Sequence, residues 1–345
     1  MKIYNVLKEI LKEQEEEEPK NGFHYEYFHD GQLMSKIHYF DGEKDGFAEY
    51  YTYPENDVSR SGFYKDDKKI GKWRIYNPIN PDQIEFMVYK NGALFQAEYY
   101  DSTLNHLNRK VVYKHGDAYR NGEIHVDRMY KYNEDGKISM VEIPDLKKRI
   151  KYVYHNGVLI QKQSYNSETN QKEGILKTYN DNGKIQSKTN YSNGERNGKE
   201  YIYVDGKLHQ IITYKNNLAH GINKVYLKGN LYKVLTWEDN RINGPFSSYY
   251  DNKLTDKGFY KDGKKDGLAL SYINGKLYDK SMWKDGEKNG PYTSYYLSGE
   301  ISEEGNYKND EKDGEVISYH QNKPFKKIIY NNGVIVSETY IYENL

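Results

Sequence analysis

The chain has 345 residues, and its 51 Lys and Arg balance its 51 Asp and Glu, so the formal charge is zero. Ala, Val, Ile, Leu, Met, Phe, Trp and Cys together with the 29 Gly make up about a third of it, against roughly 45–50% in an ordinary globular domain; the 39 Tyr supply much of the missing apolar area. These figures argue against a thick compact core and against a nucleic-acid binder that works through an overall basic charge, while zero Cys excludes disulfides, thiolate zinc sites and thiol nucleophiles.

The N-terminus, MKIYNVLKEILKEQEEEE, places charges inside its apolar stretch and has no small-residue cleavage site, so it does not read as a secretory signal. No apolar run is long enough to span a bilayer as a helix, and a cytoplasmic location is expected. Residues 2–17 carry the one helical pattern. Ile3, Val6, Leu7, Ile10 and Leu11 form a single apolar stripe, and the helix should fade through Glu15–Glu18 and stop before Pro19. Residues 1–20 therefore read as an amphipathic helix that caps the first strands of a repeat array, because such arrays need caps.

From residue 21 the sequence repeats. The phrase is an aromatic, then Asn/Asp-Gly, three residues and a Gly: YFDGEKDG (39–46), YSNGERNG (191–198), YKDGKKDG (260–267) and WKDGEKNG (283–290). Looser copies are YKDDKKIG (64–71), YKNNLAHG (214–221), WEDNRING (237–244) and YKNDEKDG (307–314). The leading aromatics Tyr191, Tyr214, Trp237, Tyr260, Trp283, Tyr307 and Tyr330 are spaced 23, 23, 23, 23, 24 and 23. Tyr39, Tyr64, Tyr89 and Tyr113 extend the register backwards, while Ile143 and Tyr165 mark degenerate copies. The array over 21–345 holds about thirteen units, degenerate over 77–173 and regular over 174–332.

Each unit reads as a β-hairpin. After the last Gly of the phrase comes a short strand such as GLALSY (267–272), with Leu268, Leu270 and Tyr272 on one face. Asn-Gly or Asp-Gly follows, at 274–275, 205–206, 156–157, 135–136 and 182–183, as a two-residue type I′ turn requires. A second strand, KLYDKSMW (276–283), should place Leu277, Ser281 and Trp283 on a shared face, and the D-G-x-x-x-G phrase then serves as a longer connection. The fold class expected is an all-β repeat array: an elongated antiparallel meander of hairpins behind a short N-terminal helix.

The 23-residue period, the Y-K-[DN]-G-x-x-[DN]-G phrase and the Y-x-[DN]-G-K-L turn resemble MORN repeats over about 21–340. They look closest to the bacterial variant found in proteins described as antitoxins of toxin–antitoxin systems. The resemblance implies a curved hairpin array with an aromatic-lined groove, used as a scaffold, a protein-binding surface or a phospholipid binder.

Catalytic signatures are missing: no G-x-S-x-G elbow, no G-x-x-x-x-G-K-[ST] loop, no H-E-x-x-H and no G-x-G-x-x-G opening a helix. The Gly-rich phrases read as turns. His24 and His38 could face each other across the first hairpin with His29 beside its turn, but ordinary surface histidines explain them better. No enzyme activity, cofactor or metal is expected.

The aromatics remain as the candidate surface. Tyr203, Tyr226, Tyr249, Tyr272, Tyr295 and Tyr319 stand five residues after each repeat Gly and should form a ladder that packs as core. Doubled tyrosines must point to opposite faces, so Tyr50, Tyr99, Tyr250 and Tyr296 are the partner-binding candidates. The apolar segment GVIVSETYIY (333–342) is a candidate edge for self-association. A protein partner is the first expectation; peripheral phospholipid binding and carbohydrate binding are the alternatives.

Overall fold

The computed structural model describes residues 21–76, 83–101, 106–114, 119–120 and 123–341. The helix expected over 2–17 and the insertion NPINPD at 77–82 lie outside them. The chain divides into two compact units, Met1–Leu159 and Ile160–Leu345. Among the described residues both are built of antiparallel strands with no α-helix.

In the second unit the regular hairpin is set by its turn. Strands Gly267–Ile273 and Lys276–Lys284 pair from Gly267↔Trp283 to Ile273↔Lys276, and the two residues between them, Asn274 and Gly275, have φ of 52° and 79°. Two positive φ values make the type I′ turn whose twist suits a hairpin. Asn-Gly at 156–157 and Asp-Gly at 205–206 do the same. At 135–136 and 182–183 only the Gly has positive φ, and the loop is longer. Asn133 and Asn180 each accept the N–H of the lysine four residues on at 2.8 Å, so an Asx side chain closes these two in place of a type I′ turn.

The D-G-x-x-x-G phrase is also a tight turn rather than a long connection. Asp262 and Gly263 have φ of 50° and 84°, and pairing resumes at once as Lys261↔Lys264 and Tyr260↔Lys265. The chain then bulges at Asp266–Gly267, where Gly267 has φ of 82°, before pairing again as Lys257↔Leu270. The second Gly of the phrase therefore serves a bulge, a place where glycine is favoured because it lacks the Cβ that opposes positive φ.

Adjacent repeats are tied through these turns. The N–H of Asn217, Asn240, Gly263, Gly286, Asp310 and Gly333 donates at 2.8–3.0 Å to the carbonyl of Arg196, Ala219, Ile242, Lys265, Lys288 and Lys312, respectively, in the preceding repeat. Where the donor is Asn or Asp, its side chain can return a bond: Asn217, Asn240 and Asp310 accept the N–H of Arg196, Ala219 and Lys288 at 2.7–2.8 Å.

Each unit buries one row of side chains running across the strands. In the second unit the row is Leu235↔Phe246↔Gly258, then Ala269↔Ser281↔Tyr292↔Gly305 and Val316↔Ile328. Glycines stand where rings lie: a Cβ on Gly258 would be 3.0 Å from Phe246, and one on Gly305 would be 2.7 Å from Val316 and 3.2 Å from Tyr292. The buried face is thus the face of Ala269, whereas Leu268, Leu270 and Tyr272 share the opposite one and Leu268 is 44% exposed. The ladder tyrosines do not form the core; large rings on the other face fill the space that the small residues leave. Leu277 also departs from expectation. Tyr272 pairs with Leu277 and Ser271 with Asp279, so a bulge at Tyr278 turns Leu277 away from Ser281 and Trp283.

The first unit follows the same plan through consecutive antiparallel pairs from Asn21–Tyr27 to Lys148–His155. Between Leu107–Tyr113 and Val126–Tyr132, which pair with each other, Tyr119–Arg120 pairs with Glu123–Ile124 in a separate two-stranded sheet. Its buried row is Ile37↔Ala48↔Gly62 and Trp73↔Met87↔Ala97↔Val111. Trp73 is fully buried against Gly62 and donates its indole N–H to the Phe63 carbonyl at 3.1 Å.

Candidate interaction surface

On the face that carries the buried row, the residue five places after six of the leading aromatics is cationic and lies over a ring. Lys44 is 5.5 Å from the Tyr64 ring centroid, Lys69 is 5.0 Å from Tyr89, and Arg196 is 4.1 Å from Tyr214. Lys265 is 4.4 Å from Trp283, Lys288 is 4.9 Å from Tyr307, and Lys312 is 5.6 Å from Tyr330. Each cation caps the aromatic of the following repeat, an attraction that strengthens as water is excluded. Burial, with the charges of Arg60 and Lys44 nearby, lowers the Lys69 pKa.

Beside this ladder runs a polar row in the second unit: Ser248↔Asp256↔Ser271↔Asp279↔Ser294↔Glu303↔Ser318. Ser271 donates to Asp256 at 3.1 Å and Ser294 to Asp279 at 3.3 Å. Glu303 accepts both the Tyr292 hydroxyl and the Lys312 ammonium at 2.5 Å. Burial and this bond to Glu303 push the Tyr292 hydroxyl far above its ordinary range. The acids of this face are therefore internally satisfied.

The opposite face of the second unit is apolar and half-exposed. Tyr203↔Leu208, Tyr226↔Leu231, Tyr249↔Leu254, Tyr272↔Leu277 and Tyr295↔Ile301 repeat one aromatic–aliphatic pair hairpin by hairpin. Beyond them, Ile222, Phe259 and Leu268 are 57%, 54% and 44% exposed. A depression of about 260 Å³ opens among Pro245, Ser247, Lys257, Phe259, Leu268 and Leu270. Where the chain changes from apolar to acidic, Tyr319 donates its hydroxyl to Glu304; that bond, with burial and the Glu304 charge, raises its pKa to about 12.

On the corresponding face of the first unit, Glu98 is buried and accepts from Lys72 at 2.6 Å, Gln96 at 2.5 Å and Tyr100 at 3.0 Å. Burial opposes its ionisation, but the hydrogen bonds from Lys72 and Tyr100 and the charges of Lys72 and Lys110 prevail and lower its pKa.

The four doubled-tyrosine candidates fall into different settings. Tyr50 packs in the cluster around Trp73, with its hydroxyl 3.0 Å from that of Tyr64 and Arg60 4.3 Å above its ring. Tyr99 lies under Arg109 at 3.9 Å. Tyr250, at a hairpin tip, is 75% exposed. Tyr296 is exposed but donates its hydroxyl to the Tyr319 carbonyl at 2.9 Å. Of the segment 333–342, residues Val334–Tyr340 form a strand paired with Lys323–Asn331, and every residue of it is exposed; Tyr342 lies outside the described residues.

The histidines do not converge. Pairing of His24 with Ile37 and of Phe23 with His38 sends His24 and His38 to opposite faces, because a one-residue offset in register reverses the side chain. His38 instead meets the Asp45 carbonyl at 2.6 Å, and His29 lies 5.7 Å from the Tyr53 ring. Among the described residues no group of three or more His, Cys, Asp or Glu is placed to hold a metal ion, and no helix is long and apolar enough to cross a membrane.

Sequence reasoning missed the lysines. Their signal was present as a basic residue recurring five places after six of the leading aromatics, but a repeated Lys in a turn reads as solvation until its ring partner, one repeat away, is known.

Comparison with known proteins adds the family. The MORN repeat variant profile matches residues 20–41, 172–193 and 288–309. No curated protein matches. Among solved structures, a chain in "Crystal Structure of TcdB2-TccC3-TEV" aligns with 96% of this chain at 11% identity and a TM-score of 0.17, and this chain spans 22% of that one. Residues 172–193 cover the hairpin Gly174–Tyr179 with Ile185–Ser192, and 288–309 cover most of a later one, Glu287–Tyr295 with Ile301–Lys308. With the matched segments falling on hairpins of the repeat array, the chain is a MORN-repeat protein of the variant type.

Proposed function

We propose that this repeat scaffold binds a partner protein and carries no catalytic chemistry of its own. The observation that carries the reading is the half-exposed Tyr–Leu strip of the second unit, which no second layer covers among the described residues. Monomeric proteins rarely leave a contiguous apolar surface of this kind without an interaction to make, and tyrosine is among the residues that dominate binding energy when desolvated. The cation–ring ladder on the other face keeps the single-layer sheet rigid, so the strip is presented without a large ordering cost. By resemblance, the finer reading is an antitoxin-like role in the cytoplasm, in which the scaffold masks a toxin sterically.

The test is affinity capture by the tagged full-length chain from its native lysate, at about 150 mM and about 500 mM salt, with bound proteins identified by mass spectrometry. One protein retained at both salts is expected; none retained at either would sink the reading. Co-expression of that partner then tests masking, since a toxin should become tolerated only in the presence of the scaffold.

A second reading has its own observation. Val204, Leu227, Tyr250, Ile273 and Leu297 are exposed at successive hairpin tips, and Lys207, Lys253 and Lys276 stand beside them. Apolar tips flanked by lysines suit the boundary of an anionic bilayer. Flotation of the protein with phosphatidylserine vesicles, in the absence of any captured protein, would favour this reading over the first.

A further inference from the structure

The zero net charge of the chain conceals a run of lysines along one face of the second unit, unpaired with carboxylates among the described residues. Along the middle of the face opposite the buried row, cross-strand pairs run Lys177↔Lys188↔Tyr201↔Ile211↔Lys224↔Val234↔Ser247↔Lys257↔Leu270↔Lys280↔Thr293. Directly opposed residues share a face, so five lysines and no carboxylate occupy this row until Glu304, which pairs with Thr293. Lys199 adds a sixth, opposite Thr213. Between Lys177 and Thr293 carboxylates reach this face at its margin, in the turns, where Glu238 is opposite Arg241 and Glu287 is opposite Lys284. Past Thr293 the strands themselves carry Glu304 and Glu315, the latter ion-paired with Lys327. Glu200, Asp256, Asp279 and Glu303 lie on the other face beside their serine, threonine and lysine partners.

Among the described residues, none of the six lysines is within ion-pair distance of a carboxylate. Lys177 and Lys188 are directly opposed, an arrangement that costs stability. Lys188 and Lys257 lie 5.5 and 5.7 Å from the Tyr203 and Tyr272 rings, which restrains where their ammonium groups stand. Exposed aliphatic groups flank the row, Ile222 and Leu268 among them.

We propose that this face docks an acidic protein surface, one that sets carboxylates against the lysine row and aliphatic side chains against the Tyr–Leu strip. The inference rests on the protein-binding reading above and names the face and the chemistry of the partner. Opposite charges across an interface set partner choice and speed the encounter, while the apolar flanks supply affinity. A single-stranded nucleic acid would meet the same lysines, but it binds through rings free to stack on bases. Here the tyrosines of the strip are paired across the strands with leucines, and the most exposed groups are largely aliphatic.

The experiment is selection of random linear peptides displayed on phage against the full-length chain, followed by affinity measurement on that chain and on K224E/K257E/K280E. The variant is first checked for an unchanged far-ultraviolet circular dichroism spectrum; if reversal disturbs folding, K224Q/K257Q/K280Q replaces it. The expected result is enrichment of peptides rich in Asp, Glu, Leu and Ile, bound about tenfold or more weakly by the reversed variant and weakened by salt. Neutral or basic peptides, or acidic ones that bind the variant equally well, would overturn the assignment of this face while leaving partner binding intact. Competition by oligothymidylate or by phosphatidylserine vesicles, stronger than that of the acidic peptides, would replace the protein partner with that ligand. An empty selection overturns the inference, and an empty lysate capture beside it removes the reading on which it rests.

Discussion

Tyr319 shows how one side chain reports on its face. Its hydroxyl donates to Glu304, and that bond, burial and the Glu304 charge together raise its pKa from 10.0 to about 12. A raised tyrosine pKa means the folded state favours the neutral phenol. The stabilisation is therefore complete below the ordinary value near 10 and is lost as pH rises towards 12. Glu304→Gln removes the charge and most of the bond, so the Tyr319 transition should move back towards 10. Ultraviolet titration of phenolate absorbance checks this: the variant should ionise one tyrosine earlier than the parent chain, and superimposable curves would rule the coupling out. Nothing in the sequence distinguishes Tyr319 from the other ladder tyrosines. The difference is Glu304, fifteen residues earlier, where Lys257 and Lys280 hold the matching positions of two preceding repeats, and only strand register brings it opposite Ile317, two residues from Tyr319.

At the scale of the element, the turn phrase was legible in part. The period of the aromatics located the regular hairpins, and Asn-Gly or Asp-Gly marked type I′ turns at 156–157, 205–206 and 274–275, because positive φ is a local requirement that local sequence must meet. At 135–136 and 182–183 the same dipeptide closes a longer loop, with the Asn133 and Asn180 side chains taking over. The function of the second Gly was not legible, since a bulge is defined by the partner strand. Nor was the buried face, because Leu268 and Leu270 outweigh Ala269 in apolar character while Ala269 is the buried residue, packed close against Gly258. The same long-range logic explains the Asn/Asp choice in the turns. Asn240 holds φ of 68°, donates its N–H to the Ala219 carbonyl at 3.0 Å and accepts the Ala219 N–H at 2.8 Å through its side chain. Asn240→Ala should cost about 1–2 kcal/mol, from a Cβ forced into the left-handed region and a lost hydrogen bond. Asn240→Gly keeps the backbone bond and relieves the strain, so it should cost less. Denaturant midpoints of the two variants decide the matter; equal losses would show that the side-chain bond, not the backbone conformation, sets the stability of the turn.

At the scale of the whole molecule, the way the strands pair has a mechanical consequence. Among the described residues each strand pairs with its neighbours along the chain, and each unit has its own buried row, so stability should be a sum of local contributions rather than one cooperative quantity. Gly62→Ala is a sharp probe of this. A Cβ at that position would clash with the carbons of the Trp73 ring, and Trp73 is the largest fully buried side chain described. The ring cannot retreat without giving up its hydrogen bond to Phe63 and its edge contact with Tyr64 at 5.0 Å. Overpacking of this kind costs about 1–3 kcal/mol. Amide hydrogen exchange should then accelerate in the strands that flank the substitution, Glu43–Tyr51, Val58–Lys65, Lys68–Ile75 and Ile84–Lys90, and stay unchanged in Gly267–Ile273 and Lys276–Lys284. Uniform acceleration in both units would mean that a single core couples them. Local acceleration would show why the docking face can keep its lysine row despite the repulsion between Lys177 and Lys188: in an array whose repeats are stabilised separately, a cost in one hairpin is borne by that hairpin and its neighbours alone.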